Sequence, residues 1–200
     1  MRSTGAIVLL VVLLLVGFAG CAGCGTYNSL VDQDELVNTA WANVETTYQR
    51  RADLIPNLVS TVQGAADFES ETLQAVTEAR TRAVSITLSS EDLADPAAVR
   101  SFMDAQQSLG AATGALINAV REDYPELGAT ENFLALQDQL EGTENRINVA
   151  RMRFNDAVRD YNGTMRMLPW NLVAGLGNFQ RKAYFRSDEE ARSAPDVKID

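Results

Sequence analysis

The sequence contains no histidine and only two cysteines, Cys21 and Cys24. It therefore lacks the commonest general base and the commonest ligands of protein metal sites. A Ser-His-Asp hydrolase, a cysteine-histidine protease and a di-iron bundle built from Glu-x-x-His pairs are all excluded on this ground. We expect a protein that is not an enzyme, with no catalytic residue, no metal and no cofactor.

Basic residues are also scarce, since 17 lysines and arginines stand against 27 aspartates and glutamates and the net charge is −10. A chain with this balance repels nucleic acid and the anionic head groups of lipids. We therefore expect no nucleic-acid partner. The length of 200 residues allows a membrane segment and one domain with a sizeable core.

An uncharged, strongly apolar run extends from Gly5 to Gly25. At about 1.5 Å per residue it is long enough to cross the roughly 30 Å hydrocarbon core of a bilayer. We interpret residues 1–25 as a retained membrane anchor. Two alternatives stay open. Ala19-Gly20-Cys21 resembles the end of a bacterial lipoprotein signal, which would leave Cys21 lipidated, and the run also has features of a cleaved signal peptide.

The charges around this run predict its orientation. Arg2 precedes it, whereas Asp32, Asp34 and Glu35 follow it before the next basic residue, Arg50. Positively charged flanks tend to remain in the cytoplasm. We therefore expect a single-pass protein of the cytoplasmic membrane, with its domain on the extracytoplasmic side.

The clearest apolar pattern lies near the C-terminal end, in a helix expected from Thr130 to about Met165. Its apolar residues recur every seventh position, as they do in a coiled coil: Phe133, Leu140, Ile147, Phe154 and Tyr161. Such a stripe must be buried against other helices. We expect it to form the core within one chain and not a dimer seam.

Two further helices are expected to cover this stripe. The first begins at Asp32, which can cap it, and continues to about Thr87 with a kink, not a break, at Pro56. The second begins at Asp95, followed by a proline at the first helical position, and ends near Asp123.

The expected fold is therefore all-α, with an N-terminal membrane helix followed by an elongated antiparallel bundle of three to four long helices. The bundle domain is expected over residues 26–186, and a polar C-terminal tail over residues 187–200. The segment after Leu168 is too apolar for a solvated linker, so we expect it to pack back onto the bundle. A partner-binding or membrane-facing role is the alternative.

Distinctive blocks extend over nearly the whole chain after the apolar run. They are Tyr27-Asn28-Ser29-Leu30-Val31, Ala40-Trp41-Ala42-Asn43-Val44-Glu45, Tyr48-Gln49-Arg50-Arg51-Ala52-Asp53-Leu54-Ile55-Pro56-Asn57-Leu58-Val59, Tyr124-Pro125-Glu126-Leu127, and Glu141-Gly142-Thr143-Glu144-Asn145-Arg146-Ile147 followed by Ala150-Arg151 and Asn155. Together these blocks resemble the LemA family of bacterial membrane-anchored proteins.

The resemblance implies one membrane segment and a bundle of long antiparallel helices, in a family whose molecular activity is poorly defined. Its magnetosome-associated branch is linked to building a membrane organelle, which by analogy favours a scaffold over catalysis. We expect a membrane-anchored, non-enzymatic scaffold of the cell envelope that binds envelope proteins or further copies of itself. The alternative is a small-ligand sensor or enzyme with a pocket beneath the apolar C-terminal segment.

Polar residues within these blocks are candidates for setting the helix register or contacting a partner: Arg50, Arg51, Asp53, Asn57, Glu144, Asn145, Arg146, Arg151 and Asn155. Arg51 is in phase with apolar neighbours, so we expect it to pair with Glu144 or Glu141; an anionic partner or lipid head group is the alternative. Asn145, Asn155 and Asn162 either bridge to neighbouring helices or lie on the surface.

Overall fold

The computed structural model describes the backbone of residues 2–64 and 70–185, and the side chains of residues 13, 23–64 and 71–185. Every regular element in these ranges is helical, which confirms the all-α prediction. Besides a short 3-10 helix, Asp92–Ala94, the elements are α1 (Arg2–Gln63), α2 (Ser70–Ser85), α3 (Pro96–Asp123), α4 (Pro125–Gly128), α5 (Glu131–Thr164) and α6 (Trp170–Leu176).

Helix α1 packs along α5, and α2 packs along α3. Helices α1 and α5 run in opposite directions, since later residues of α1 contact earlier residues of α5. The four helices meet near Arg51 of α1, which contacts Gln106 of α3 and Glu144 of α5, while Gln106 reaches the carbonyl of Ala83 in α2.

Helix α5 matches its predicted bounds and buries the stripe of every seventh residue. Each of the five residues of the stripe is at most 6% exposed: Phe133, Leu140, Ile147, Phe154 and Tyr161. The helix begins where Thr130 accepts a hydrogen bond from the amide of Phe133. Helix α3 likewise begins as predicted, because the side chain of Asp95 accepts from the amide of Ala97.

The prediction of one helix from Asp32 to about Thr87 is wrong. Helix α1 continues through Pro56 but ends at Gln63, and α2 returns beside it as a separate helix. This reversal places Leu73 and Val76 in the same apolar cluster as Val62 of α1. A single straight helix would carry these side chains beyond the bundle, so burial of α2 determines where the chain turns.

The proline inside α1 has a compensating contact. Pro56 has no amide proton, so the carbonyl of Ala52, four residues earlier, lacks its usual helical donor. Arg80 of α2 donates from its Nε to this carbonyl at 2.8 Å. The arginine therefore satisfies the backbone group that the proline leaves free, and it ties α2 to α1.

The core consists of two apolar clusters. An aromatic cluster surrounds Trp41, Phe154 and Phe185, and an aliphatic cluster surrounds Leu58 and Leu109. Trp41 stacks on Phe185 with ring centroids 5.8 Å apart, so the end of the described tail forms part of the core. The apolar tail thus packs back at Phe185, as expected.

Most of the predicted anchor, including Cys21, falls on residues whose side chains lie outside the described part. Among the residues that are described, no helix combines the length and the apolar character needed to cross a membrane. The membrane anchor, the lipidation of Cys21 and the polar tail at 187–200 therefore stay predictions.

We predict that replacing Arg80 by Met lowers the free energy of unfolding by about 1.5–3 kcal/mol, because a hydrogen bond from a charged donor to a buried carbonyl is lost. Chemical unfolding of the full chain in detergent, followed by circular dichroism, measures this change.

The matched control is Pro56→Ala, which supplies an amide to the Ala52 carbonyl. In that background the Arg80→Met change is expected to destabilise the chain less. An equal loss in both backgrounds would contradict the role assigned to Arg80.

Candidate functional site

A buried arginine lies where the four long helices meet. The side chain of Arg51 is 6% exposed, and its Nη1 lies 3.1 Å from the Oε2 of Glu144, which is half exposed. Its Nη2 donates to the backbone carbonyl of Gln106 at 2.7 Å and to the side-chain oxygen of Gln106 at 2.9 Å. The predicted pairing with Glu144 is therefore present, and Gln106 is a second partner. We call these three residues the Arg51 centre.

Gln106 extends the Arg51 centre to the fourth helix. Its side-chain amide donates to the carbonyl of Ala83 at 3.1 Å, while its oxygen accepts from Arg51. Gln106 is 6% exposed, so both contacts are shielded from water. One glutamine thus joins α1, α2 and α3 at a single level.

Tyr48 and Arg151 border the Arg51 centre. The guanidinium of Arg51 lies over the ring of Tyr48 at 5.0 Å, and that of Arg151 lies over the ring of Phe185 at 5.4 Å. Burial raises the pKa of Tyr48, although the nearby charges of Arg151 and Arg51 oppose this shift. Tyr48, Arg51 and Arg151 line an open cavity of about 410 Å³.

A longer groove follows the outer face of the α1–α5 pair. It has a volume of about 760 Å³ and contains three of the predicted polar residues, Arg50, Asn145 and Arg146. Small and medium-sized side chains make up most of its lining on both helices: Thr39, Ala40, Asn43, Thr46, Thr47, Val149, Ala150 and Ala157. We call this surface the α1–α5 groove.

Basic charge predominates in the α1–α5 groove although the chain as a whole is acidic. Arg50, Arg146 and Arg153 line it, with Asp160 as the acidic residue at one end. Among the described residues, none of these three guanidinium groups has an ion-pair partner. Arg153 was not among the predicted residues, although it lies one heptad after Arg146.

Two asparagines of α5 hold residues 179–185, the described chain after α6, in an extended conformation. We call this segment the tail. Asn155 donates to the carbonyl of Phe185 and accepts from its amide, each at 2.9 Å. Asn162 makes the same pair of bonds to Lys182, at 2.9 and 3.0 Å. Neither expectation holds for these two residues, since they are not exposed and they bind the tail instead of a neighbouring helix. We call them the asparagine clamp.

Contacts beside the clamp fix the tail to the rest of the bundle. Lys182 lies 3.1 Å from Asp34 of α1 and donates to the carbonyl of Ser90 at 3.0 Å. The amide of Ala183 donates to the carbonyl of Leu93 at 2.7 Å. Burial and the Asp34 carboxylate both raise the pKa of Tyr161 in the same region.

Two predicted residues lie apart from all of these features. Asp53 is exposed and accepts from Gln49 on its own helix at 2.7 Å. Asn57 is exposed, and its carbonyl accepts from Thr61. The structure therefore does not bring them to the Arg51 centre, the α1–α5 groove or the asparagine clamp.

A cleft beside the tail is the place nearest to the predicted small-ligand pocket. It lies between α3, α5 and the tail, and its volume is about 1080 Å³. The charged residues in it are predominantly basic: Arg100, Asp104, Arg159, Arg166, Arg181 and Lys182. We call it the tail cleft, and a small-ligand function there stays a prediction.

We predict that Glu144→Ala lowers the free energy of unfolding by about 1.5–3 kcal/mol, because the buried guanidinium of Arg51 loses its counter-charge. The same change is expected to cost less than about 0.5 kcal/mol in an Arg51→Met background, where no buried charge is left unpaired.

Glu141→Ala, one turn away on an exposed position, is the control, and its effect is expected to be small in both backgrounds. Chemical unfolding of all variants measures the coupling. Additive effects of the Arg51 and Glu144 changes would show that the two side chains do not act as a pair.

We also predict that Asn155→Ala accelerates hydrogen exchange of the Phe185 amide, because that amide loses its acceptor. Asn162→Ala is expected to do the same to the Lys182 amide. Each variant is the control for the other, and exchange measured by NMR distinguishes them. Unchanged exchange at both amides would refute the clamp.

Comparison with known proteins identifies the family of this chain. Residues 40–199 match the sequence model of the LemA family. Magnetosome protein MamQ 1 of Paramagnetospirillum magneticum is 27% identical over 176 residues, which are 80% of this chain and 64% of that protein. Protein LemA of Metamycoplasma hominis is 25% identical over 185 residues, which are 92% of this chain and 80% of that protein. The chain thus spans somewhat less than two thirds of the MamQ relative, and its matched region shows that it belongs to the LemA family.

Proposed function

We propose that this chain is a membrane-anchored, non-enzymatic scaffold of the bacterial cell envelope, and that the α1–α5 groove receives an acidic helix of a partner protein. The observation that supports this most is the row of unpaired arginines along an open groove. The anchor in residues 1–25 and the extracytoplasmic position of the bundle are part of the proposal.

The dimensions of the groove suit a helix. Its lining residues on α1 extend from Gln33 to Arg50, which corresponds to about 26 Å at 1.5 Å per residue. Small side chains on both helices permit a third helix to approach closely. A partner segment of about five turns would fill the groove along its length.

The charges of the groove favour an acidic partner. Arg146 and Arg153 are seven residues apart and lie on one face of α5, and Arg50 faces them from α1. A helix with aspartate or glutamate at matching seven-residue spacing would pair with both arginines of α5. Leu36 lines the end of the groove that is far from Arg50. It is 62% exposed and offers an apolar contact.

We predict that a photoreactive amino acid at Thr46, in the groove, crosslinks the full-length chain in bacterial membranes to a partner helix. Mass spectrometry of the crosslinked peptide is expected to identify a helix-forming, net acidic segment. The same probe at Ser108, an exposed position of α3, is the control and should not capture that segment.

The charge requirement is tested with the Arg146→Glu and Arg153→Glu double variant. It is expected to reduce crosslinking about tenfold or more, which corresponds to about 1.4 kcal/mol. Arg121→Glu, at the exposed end of α3, changes the net charge without touching the groove. Capture of a basic segment, or of a second copy of this chain, would overturn the proposed partner.

A further inference from the structure

The corner between α5 and the tail exposes several large apolar side chains. The exposed fractions of Leu168, Leu172 and Leu176 are 71%, 63% and 90%, and that of Met167 is 58%. Leu172 and Leu176 are four residues apart on α6, so they lie on one side of it, and Met167 and Leu168 are exposed in the turn that precedes α6. A contiguous apolar patch of this kind marks an interaction surface.

This corner lies at the end of the bundle where α1 leaves the predicted anchor. The rings of Tyr27 in α1 and Phe179 after α6 are 5.4 Å apart. A side chain added at Gly177 would approach the Tyr27 ring at 3.2 Å. Since the uncharged run ends at Gly25, the corner is within one helical turn of the place where α1 would enter a bilayer.

Basic side chains accompany the apolar patch. Arg166 and Arg181 line the tail cleft together with Arg100, and none of the three has an ion-pair partner within the described ranges. The net charge of −10 predicts repulsion from anionic lipid for the chain as a whole, whereas contacts at one end of a molecule are governed by the local distribution of charge.

We propose that the corner formed by residues 165–177, together with the neighbouring Arg181, is a second membrane contact. Its leucines lie in the acyl boundary, and Arg166 and Arg181 bind the phosphates of anionic head groups. The proposal rests on the membrane anchor of the proposed function. An apolar face flanked by basic residues is the composition of segments that lie in the membrane interface. Trp170 and Tyr27 are of the types enriched at that depth.

The bilayer is a better occupant than a partner protein because of continuity with the anchor. A bundle held by one helix alone is free to rotate and tilt about that helix. A second contact beside α1 fixes which face of the bundle points along the membrane. The α1–α5 groove is thereby presented in one orientation.

The two tryptophans of the chain permit a direct test. Trp41 is 4% exposed in the core, whereas Trp170 lies in the corner, where it is partly exposed and packs against the edge of the aromatic cluster. The full chain is reconstituted in vesicles that contain brominated phosphatidylcholine and unbrominated phosphatidylglycerol. Quenching of tryptophan fluorescence by the bromine atoms is then measured. We expect quenching in the natural sequence and its loss in Trp170→Phe, which retains Trp41.

The apolar contact is tested with the Leu172→Glu and Leu176→Glu double variant, which is expected to lose the quenching. Leu134→Glu is the matched control, since Leu134 is an exposed apolar residue at the start of α5, and it should leave the quenching unchanged. Replacing phosphatidylglycerol by unbrominated phosphatidylcholine is expected to weaken the quenching.

The outcomes separate this inference from the proposed function. A chain that floats with the vesicles but shows no quenching of Trp170 overturns the membrane contact and leaves the scaffold proposal standing. A chain that does not float with the vesicles overturns the anchor, and both proposals fail with it. Equal quenching with and without phosphatidylglycerol overturns the assignment of the arginines to anionic head groups.

Discussion

The buried guanidinium of Arg51 is the interaction on which the arrangement of the four long helices depends. It lies between the aromatic and the aliphatic clusters, and its partners come from α3 and α5. Apolar side chains alone would allow the helices to slide past one another by a turn at modest cost, because hydrophobic contacts are not directional. Hydrogen bonds of fixed geometry at one level oppose such slippage, and Gln106 transmits the same constraint to α2.

The sequence was sufficient to predict α3, α5 and the pairing of Arg51 with Glu144, because strong periodicity and capping residues specify local structure. It was not sufficient to predict the end of α1. The end of α1 depends on burial of Leu73 in a cluster with residues of α3, a helix that is distant in sequence. Gln106 was missed for a related reason, since a glutamine next to an apolar stripe shows its role only when its partners on other helices are known.

The two sides of the α1–α5 pair differ in composition. One side carries the apolar stripe of α5, which is buried in the core. The opposite side carries the α1–α5 groove, in which small residues take the place of large ones. Helical periodicity thus gives each helix a buried side and an open side, and the open side leaves only a weak signal in the sequence because exposed small and basic residues are common.

The asparagine clamp requires two distances to be equal, one between the asparagines on α5 and one between the residues that they bind in the tail. Asn155 and Asn162 are seven residues apart on a helix, which is about 10.5 Å at 1.5 Å per residue. Lys182 and Phe185 are three residues apart in an extended chain, which is about 10 Å at 3.3 Å per residue. The clamp bonds engage only the backbone of the tail, so they constrain the number of residues between the two clamped positions and not their identity. At Lys182 and Phe185 the side chain is constrained as well, because Lys182 pairs with Asp34 and the Phe185 ring is buried in the core. An insertion between them would therefore break either a clamp bond or one of these side-chain contacts.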